Sequence, residues 1–181
     1  MTETTILLVR HGETDWNLER RVQGHSNRPL NDTGRAQARD LADQLANERI
    51  DAVYASDLTR AHDTARPVAD SHGLPVITLP QLREKNFGTW EGLTDSEIRA
   101  RFPQAADGPW GDAETTEDVA ARVLEALRDV AERHPGGQVL VVSHGGPLRT
   151  VLRSCEVADG PVLNCHVARI VVGNGLVRSV D

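Results

Sequence analysis

The run Ile6-Leu7-Leu8-Val9 is apolar without interruption and stops at once on Arg10-His11-Gly12. A strand with one face in water alternates apolar and polar residues. An unbroken run of strand length instead suits the middle of a sheet covered on both faces. Sheets of that kind are mostly parallel and cross over through helices, so the run points to an α/β architecture. The same event recurs at Val139-Leu140-Val141-Val142, which stops on Ser143-His144-Gly145. Ligands of open α/β sheets bind in the crevice beyond the carboxyl ends of the strands. Both imidazoles stand at such ends, and Gly12, with no Cβ, is expected to let the backbone approach whatever sits there.

Between these runs the chain reads as alternating strands and helices. A loop with a short helical turn follows His11, from Asp15 to Leu30, and offers Asn17 and Gln23 as hydrogen-bond donors to an anion. A helix is expected over Leu30 to Glu48, capped by Asn31 or Thr33, with Ala36, Ala38, Leu41, Leu45 and Ala46 facing inward. Ala52 to Ser56 reads as a second buried strand, followed by a helix that Ser56 and Asp57 start and that carries Arg60 in its first turn. A helix N-terminus beside an Arg suits an anion. Val76 to Leu79 reads as a third strand, followed by the Gly- and aromatic-rich loop Leu82 to Gly92, which contains Glu84. Short and long helices are expected over Leu93 to Phe102 and Glu114 to His134, the latter capped by Thr116, with a Gly- and Pro-rich loop between them. Pro147 suits the first turn of a helix after His144. Val167 to Val172 and Leu176 to Val180 form a hairpin pattern around Gly173-Asn174-Gly175.

Composition narrows the partners. At 181 residues, with no linker and no internal repeat, the chain is expected to form one domain spanning 1–181. Its apolar runs are too short to span a membrane, and residues 1–5 show no secretory signal, so a cytoplasmic protein without membrane contact is expected. A net charge of −7 and an aromatic content of 3% argue against nucleic acid. A small anion remains a candidate partner, because clustered Arg outweighs a distant acidic surface. Lys85 is the sole lysine, so an Arg at any one position says little and its placement must carry the argument. Cys155 and Cys165 form no disulfide framework, and no Asp/Glu/His set has metal-ligand spacing.

In isolation, Arg10-His11 reads equally well as a solvated pair at a strand end, Arg60 as a surface residue paired with Asp57 or Asp63, and Asn17 and Gln23 better as ordinary solvated loop residues. Their combination does not. Two imidazoles at the carboxyl ends of two parallel strands, with Arg10, Arg60 and a helix N-terminus after Gly145, suit a phosphoryl group, whose oxygens match Arg forks. A neutral imidazole attacks phosphorus, Arg10, Arg60 and His144 hold the equatorial oxygens, and Glu84 protonates the leaving oxygen and later deprotonates water. The cations then do the neutralising that a metal does elsewhere, so no metal and no cofactor is expected.

The sequence resembles the histidine phosphatase superfamily, also called phosphoglycerate mutase-like. The matching residues are Arg10-His11-Gly12-Glu13-Thr14 with Asn17, Gln23-Gly24, Pro29-Leu30 with Gly34, Gln37 and Ala38, and Ser56-Asp57-Leu58 with Arg60, Ala61 and Thr64-Ala65. To these are added Glu84 with Phe87-Gly88 and Trp90-Glu91-Gly92, Glu114 with Arg122, and His144-Gly145. The resemblance implies a three-layer α/β/α sandwich with a mostly parallel central sheet and a phosphohistidine at His11. It places Arg10, Arg60 and His144 in a phosphate pocket and Glu84 as proton donor. Asn17 is a further phosphate or substrate contact, with Gln23 and Gly24 as pocket wall. Asn27, where many members carry Asp, and Lys85-Asn86 depart from the pattern and leave the substrate wall open.

The superfamily holds hydrolases, mutases and inactive relatives. Only 60 positions separate Glu84 from His144, whereas cofactor-dependent mutases usually carry a longer insertion there, so a compact phosphatase of small phosphorylated metabolites is the favoured reading. A mutase is the second reading and a phospho-ligand binding module without turnover the third. His25, Arg28, Trp90, Trp110 and the loop Pro103 to Asp112 are candidate selectivity positions, whereas His62, His72, His134 and His166 read as surface or packing residues. Oligomeric state, a homodimer included, stays open.

Overall fold

A computed structural model describes residues 2–104, 113–155, 161–173 and 176–180. Trp110, the loop from 105 to 112 and the Asn174-Gly175 turn therefore lie outside the described residues. The strands are β1 (Thr4–Arg10), β2 (Ala52–Ala55), β3 (Val76–Thr78), β4 (Gln138–Ser143), β5 (Val167–Gly173) and β6 (Leu176–Ser179). The helices are α1 (Asp15–Leu18), α2 (Asp32–Leu45), α3 (Thr59–His72), α4 (Asp95–Arg101), α5 (Thr116–Arg133) and α6 (Gly145–Ser154). One sheet in the order β3-β2-β4-β1-β5-β6 holds all six strands. β1 to β4 run parallel, and β5 and β6 are antiparallel additions at one edge.

The unbroken apolar runs serve both faces of this sheet. Ile6 and Leu8 pack with Val139 and Val141 against Val123, Leu127, Leu148 and Val151 of α5 and α6. Leu7 and Val9 pack with Leu140 and Val142 against Leu41, Leu45, Ala65 and Val68 of α2 and α3. The period-two alternation of a strand thus divides each run between two cores, which is why no position in it can be polar.

The helices start and stop where their end chemistry allows. Asn31 caps α2 by accepting the Gly34 N–H at 2.8 Å. α2 ends at Leu45, earlier than the pattern suggested, with Ala42 buried and Ala46 in water. α5 is capped by Thr115 rather than Thr116, in a reciprocal box with Asp118. Neither Ser56 nor Asp57 caps α3, which begins two residues later. Asn27, from the loop after α1, accepts the Thr59 N–H at 2.8 Å. This departure from the family pattern therefore has a structural use.

Candidate active site

β1 and β4 are adjacent and parallel, with Arg10 in register with Ser143, so His11 and His144 leave the sheet side by side. The chain after β1 passes to the α2 face and the chain after β4 to the α6 face. Connections that part in this way open a crevice at the strand ends, and both histidines enter it. Their ring centroids are 5.1 Å apart at an interplanar angle of 60°.

The backbone of His11 is fixed on both sides. Its N–H donates to the Ser143 carbonyl at 3.0 Å, and its own carbonyl accepts from the Asn164 amide at 2.6 Å. The next N–H, of Gly12, donates to the Thr64 hydroxyl at 2.9 Å, which donates in turn to the Arg60 carbonyl at 2.6 Å. What the structure brings close to Gly12 is the backbone of α2. A Cβ there would sit 2.7 Å from the Gly34 carbonyl oxygen, so the glycine serves the contact between strand end and α2.

The imidazole of His11 is in one tautomer. Nδ1 lies 2.7 Å from the Gly12 carbonyl, which can only accept, so Nδ1 carries the hydrogen and Nε2 presents its lone pair. Burial, with the Arg60 and Arg10 charges, holds its pKa well below the usual value, so the ring is neutral at neutral pH. His144 is lowered in the same way, by burial and then by Arg60. Both of its ring nitrogens are buried with no hydrogen-bond partner.

The two guanidinium groups are held by carbonyls rather than carboxylates. Arg60, fully buried, donates to Ser26 and Gly24 carbonyls at 2.9 and 2.7 Å. Burial pushes it down to about 10, which leaves it charged at neutral pH. The ion pairs with Asp57 or Asp63 that a surface Arg would make are absent, since Asp57 is taken by Arg83 at 2.5 Å and Asp63 meets His62 at 3.4 Å. Arg10 donates Nη1 to the Val162 carbonyl at 2.7 Å. The Nε atoms of Arg10 and Arg60 are buried without partners. Buried polar atoms left unpaired are costly, and among the described residues those on side chains all belong to cations or imidazoles at one strand-end crevice. An anion with several acceptor oxygens would satisfy them together.

Glu84 is half-buried across from this group. Its carboxylate accepts the Lys85 N–H at 2.8 Å and the Gly146 N–H at 3.1 Å. A side chain at 146 would place Cβ 2.2 Å from the carboxylate, so Glu84 could keep this position only with a glycine there and would otherwise have to shift. The backbone of Glu84 is also clamped: its carbonyl accepts from His25 Nε2 at 2.9 Å and from Arg122 at 3.0 Å. Arg122 further donates to the Gln81 and Arg83 carbonyls and to both oxygens of Glu114, whose Oε2 also accepts the Asn86 N–H.

Of the remaining expected residues, Gln23 is buried and Asn17 half-buried, and each side-chain oxygen accepts from the Thr14 hydroxyl, at 2.9 and 3.2 Å. Their amide NH₂ groups are the donors left for a ligand. Gly24 contributes the carbonyl that holds Arg60, and Gly145 opens α6. Thr14, Thr64, Asn164, Glu114 and Arg122 support the site without an expected role. Among the selectivity candidates, Trp90 is 6% exposed and stacks on Phe102, and Arg28 lies over the Trp16 ring, 4.9 Å from its centroid. Among the described residues no cluster of His, Cys, Asp and Glu could hold a metal ion, and no helix is long and apolar enough to cross a membrane.

The family model for the histidine phosphatase superfamily, branch 1, matches residues 6–174. The chain belongs to that superfamily. It is 40% identical over 177 residues to the metal-independent phosphoserine phosphatase of Arabidopsis thaliana, covering 91% of this chain and 74% of that one. It is 38% identical over 179 residues to a probable phosphoglycerate mutase, GpmB, of Enterobacter sp. (strain 638), covering 91% and 83%. The solved structure of Bacillus stearothermophilus YhfR superposes with a TM-score of 0.89 at 35% identity, over 98% of this chain and 95% of that one. The α/β fold is thus that of the phosphoglycerate mutase-like histidine phosphatases, and the family with its phosphatase-named relatives makes the chain a phosphatase enzyme.

Proposed function

We propose that this histidine phosphatase hydrolyses phosphomonoesters of small metabolites through a phosphohistidine at His11. The reading rests on one observation: a neutral imidazole with its Nε2 lone pair free lies beside an imidazole and two guanidinium groups whose buried donor atoms lack partners. Nε2 attacks phosphorus while the bond to the alcohol oxygen breaks, and Glu84 gives that oxygen its proton. The charge that His11 gains is eased by its Nδ1–H bond to the Gly12 carbonyl. Arg10, Arg60 and His144 hold the three equatorial oxygens throughout. Water then attacks the phosphohistidine, Glu84 takes its proton, and His11 returns as phosphate leaves. Asn17 and Gln23 add neutral donors at the rim. Arg10 and Arg60 supply the positive charge that a divalent ion would otherwise bring, so the reaction runs without one.

The kinship with a metal-independent phosphoserine phosphatase supports hydrolysis. The test is phosphate release from p-nitrophenyl phosphate and from a panel of metabolite phosphomonoesters, with and without EDTA. We expect turnover that EDTA leaves intact, and label from a ³²P-phosphomonoester trapped on the wild-type protein but not on His11→Ala. Substitution should lower kcat by about 10⁴-fold or more, since it removes the nucleophile itself. Full activity in His11→Ala, or a demand for added Mg²⁺, overturns the mechanism. The GpmB relative keeps a mutase reading in view. Isomerisation of 3-phosphoglycerate dependent on 2,3-bisphosphoglycerate, in place of phosphate release, would establish it.

A further inference from the structure

The chain leaves β1 through three peptide groups, Arg10–His11, His11–Gly12 and Gly12–Glu13, and all six of their polar atoms are engaged. In the first, the Arg10 carbonyl accepts the Cys165 N–H at 2.8 Å and the His11 N–H donates to Ser143. In the second, the His11 carbonyl accepts from Asn164 Nδ2 and the Gly12 N–H donates to the buried Thr64 hydroxyl. In the third, the Gly12 carbonyl accepts the His11 Nδ1–H, and the Glu13 N–H donates to Oε1 of Gln37 at 2.8 Å. A peptide group is planar, so holding both of its ends fixes its orientation. With the planes on either side of His11 fixed, the direction of its Cα–Cβ bond is fixed too. The third plane aims the carbonyl that holds the ring itself. Local structure serves these contacts. Gly34 stands one turn before Gln37 on the same face of α2, and a Cβ there would sit 2.1 Å from the Glu13 carbonyl oxygen. The glycine lets the backbone at Glu13 lie against the helix, within reach of Gln37. Cys165 takes the left-handed conformation, at φ +57°, which a residue with a Cβ rarely adopts. That turn presents the side chain of Asn164 and the N–H of Cys165 to successive carbonyls, those of His11 and Arg10.

We propose that Gln37 and Asn164 are positioning residues, which aim Nε2 of His11 at phosphorus by holding the peptides that follow it, without touching the substrate. The inference rests on the reading of His11 as the nucleophile. In-line attack requires the Nε2 lone pair to lie on the axis of the bond that breaks, and a displacement of about 1 Å costs about 10²-fold in rate. Arg10, Arg60 and His144 bind the phosphoryl oxygens whether or not the nucleophile is aimed, so binding and attack separate. The two amides do opposite work. Gln37 uses its oxygen, because a backbone N–H only donates, and Asn164 uses its nitrogen, because a carbonyl only accepts. Replacing each amide by the acid of the same shape therefore has opposite consequences. Gln37→Glu keeps the acceptor, whereas Asn164→Asp loses the donor and sets a carboxylate against a carbonyl.

Two tetrahedral anions separate aim from binding. Phosphate meets only the donors of the pocket, whereas vanadate takes an imidazole lone pair as a fifth ligand. Calorimetric titration should show the wild-type protein binding vanadate at least tenfold more tightly than phosphate, and His11→Ala binding the two alike. Gln37→Leu and Asn164→Asp should lose about tenfold of that preference. Rapid-quench measurement of ³²P transfer from p-nitrophenyl phosphate to His11, chosen because its leaving group asks little of Glu84, should slow at least tenfold in both. Gln37→Glu should restore most of what Gln37→Leu loses, and Asn164→Ala, which adds no charge, should fall with Asn164→Asp. A merely structural role would lower the urea midpoint and leave the vanadate preference and transfer rate of the folded protein as in the wild type. That result overturns the proposal, as does Gln37→Glu failing as badly as Gln37→Leu or Asn164→Asp matching the wild type. If the wild-type protein itself shows neither vanadate preference nor label on His11, the nucleophile reading fails and the positioning role with it. A wild-type protein that shows both, beside variants that move neither, sinks the positioning role alone.

Discussion

At the scale of single residues, the chemistry turns on which hydrogen-bond capacities are spent and which are left. His11 spends Nδ1 on the Gly12 carbonyl and keeps Nε2, whereas His144 spends neither nitrogen. Glu84 spends both carboxylate oxygens on backbone N–H groups, which aims it without burying it. Glu84→Gln keeps the shape and removes the transferable proton. We expect kcat on alkyl phosphates to fall about 10²–10⁴-fold and on p-nitrophenyl phosphate much less, because a good leaving group needs little protonation. Equal losses on both, measured in parallel, would mean that Glu84 orients rather than donates. The five central residues were legible in the sequence because each stands at or just beyond a strand run that the apolar pattern marks. The supporting roles of Thr64 and Asn164 were not. Their bonds go to backbone atoms 52 and 153 residues away, and no local pattern encodes such a partner.

At the scale of elements, α5 acts on the acid through Arg122. This side chain leaves the helix to gather the Gln81, Arg83 and Glu84 carbonyls, and its charge is met by Glu114 just before the helix. Three carbonyls from one loop thus converge on one guanidinium, which fixes the curvature that presents Glu84. Arg122→Met removes the clamp and leaves Glu114 without its cation. Both partners are about one-fifth exposed, so solvent moderates the loss, and we expect about 1–3 kcal/mol of destabilisation in urea unfolding. A positioning role adds a kinetic signature: kcat on an alkyl phosphate should fall at least tenfold more than on p-nitrophenyl phosphate, with KM for the latter nearly unchanged. Arg122→Lys should restore part of the stability but little of the alkyl activity, since an ammonium cannot span the same acceptors. If the two substrates lose in step, Arg122 is structural only. The element boundaries show what sequence reading misses. The cap of α3 comes from Asn27, outside its own neighbourhood, so Ser56 and Asp57 stood in for it. Ala46 fits the apolar stripe of α2 by spacing, but the helix ends before it can turn inward.

At the scale of the whole molecule, the sheet order decides the site. Because β4 lies between β1 and β2, three strand ends deliver His11, His144 and the Ser56–Arg60 segment to one edge, with helices departing to opposite faces. Parallel pairing was legible from the unbroken apolar runs, but strand order was not, since every permutation of equally apolar strands satisfies the same pattern. The consequence is a pair of uncharged histidines closed into a cationic crevice, and this sets how the fold responds to acid. In the unfolded chain each imidazole titrates near pH 6.5, whereas burial first and the guanidinium charges second keep both neutral well below that in the fold. Below about pH 6.5 the unfolded chain therefore takes up protons that the native state refuses. Stability then falls as pH falls, by about 1.4 kcal/mol per pH unit for each histidine while its native form stays neutral. Carboxylates such as Asp57, held low by Arg83, lose their support only nearer pH 4, so the two effects occupy separate windows. Urea unfolding at pH 7.5, 6.5 and 5.5 should show the midpoint dropping most steeply over the last unit. His144→Gln, which removes one of the two proton acceptors, should flatten that segment by about 1.4 kcal/mol per pH unit whatever its effect on stability at pH 7.5. A slope that survives the substitution would mean that the ring of His144 takes up its proton in the native state, and the phosphate pocket would then carry a third positive charge before any substrate arrives.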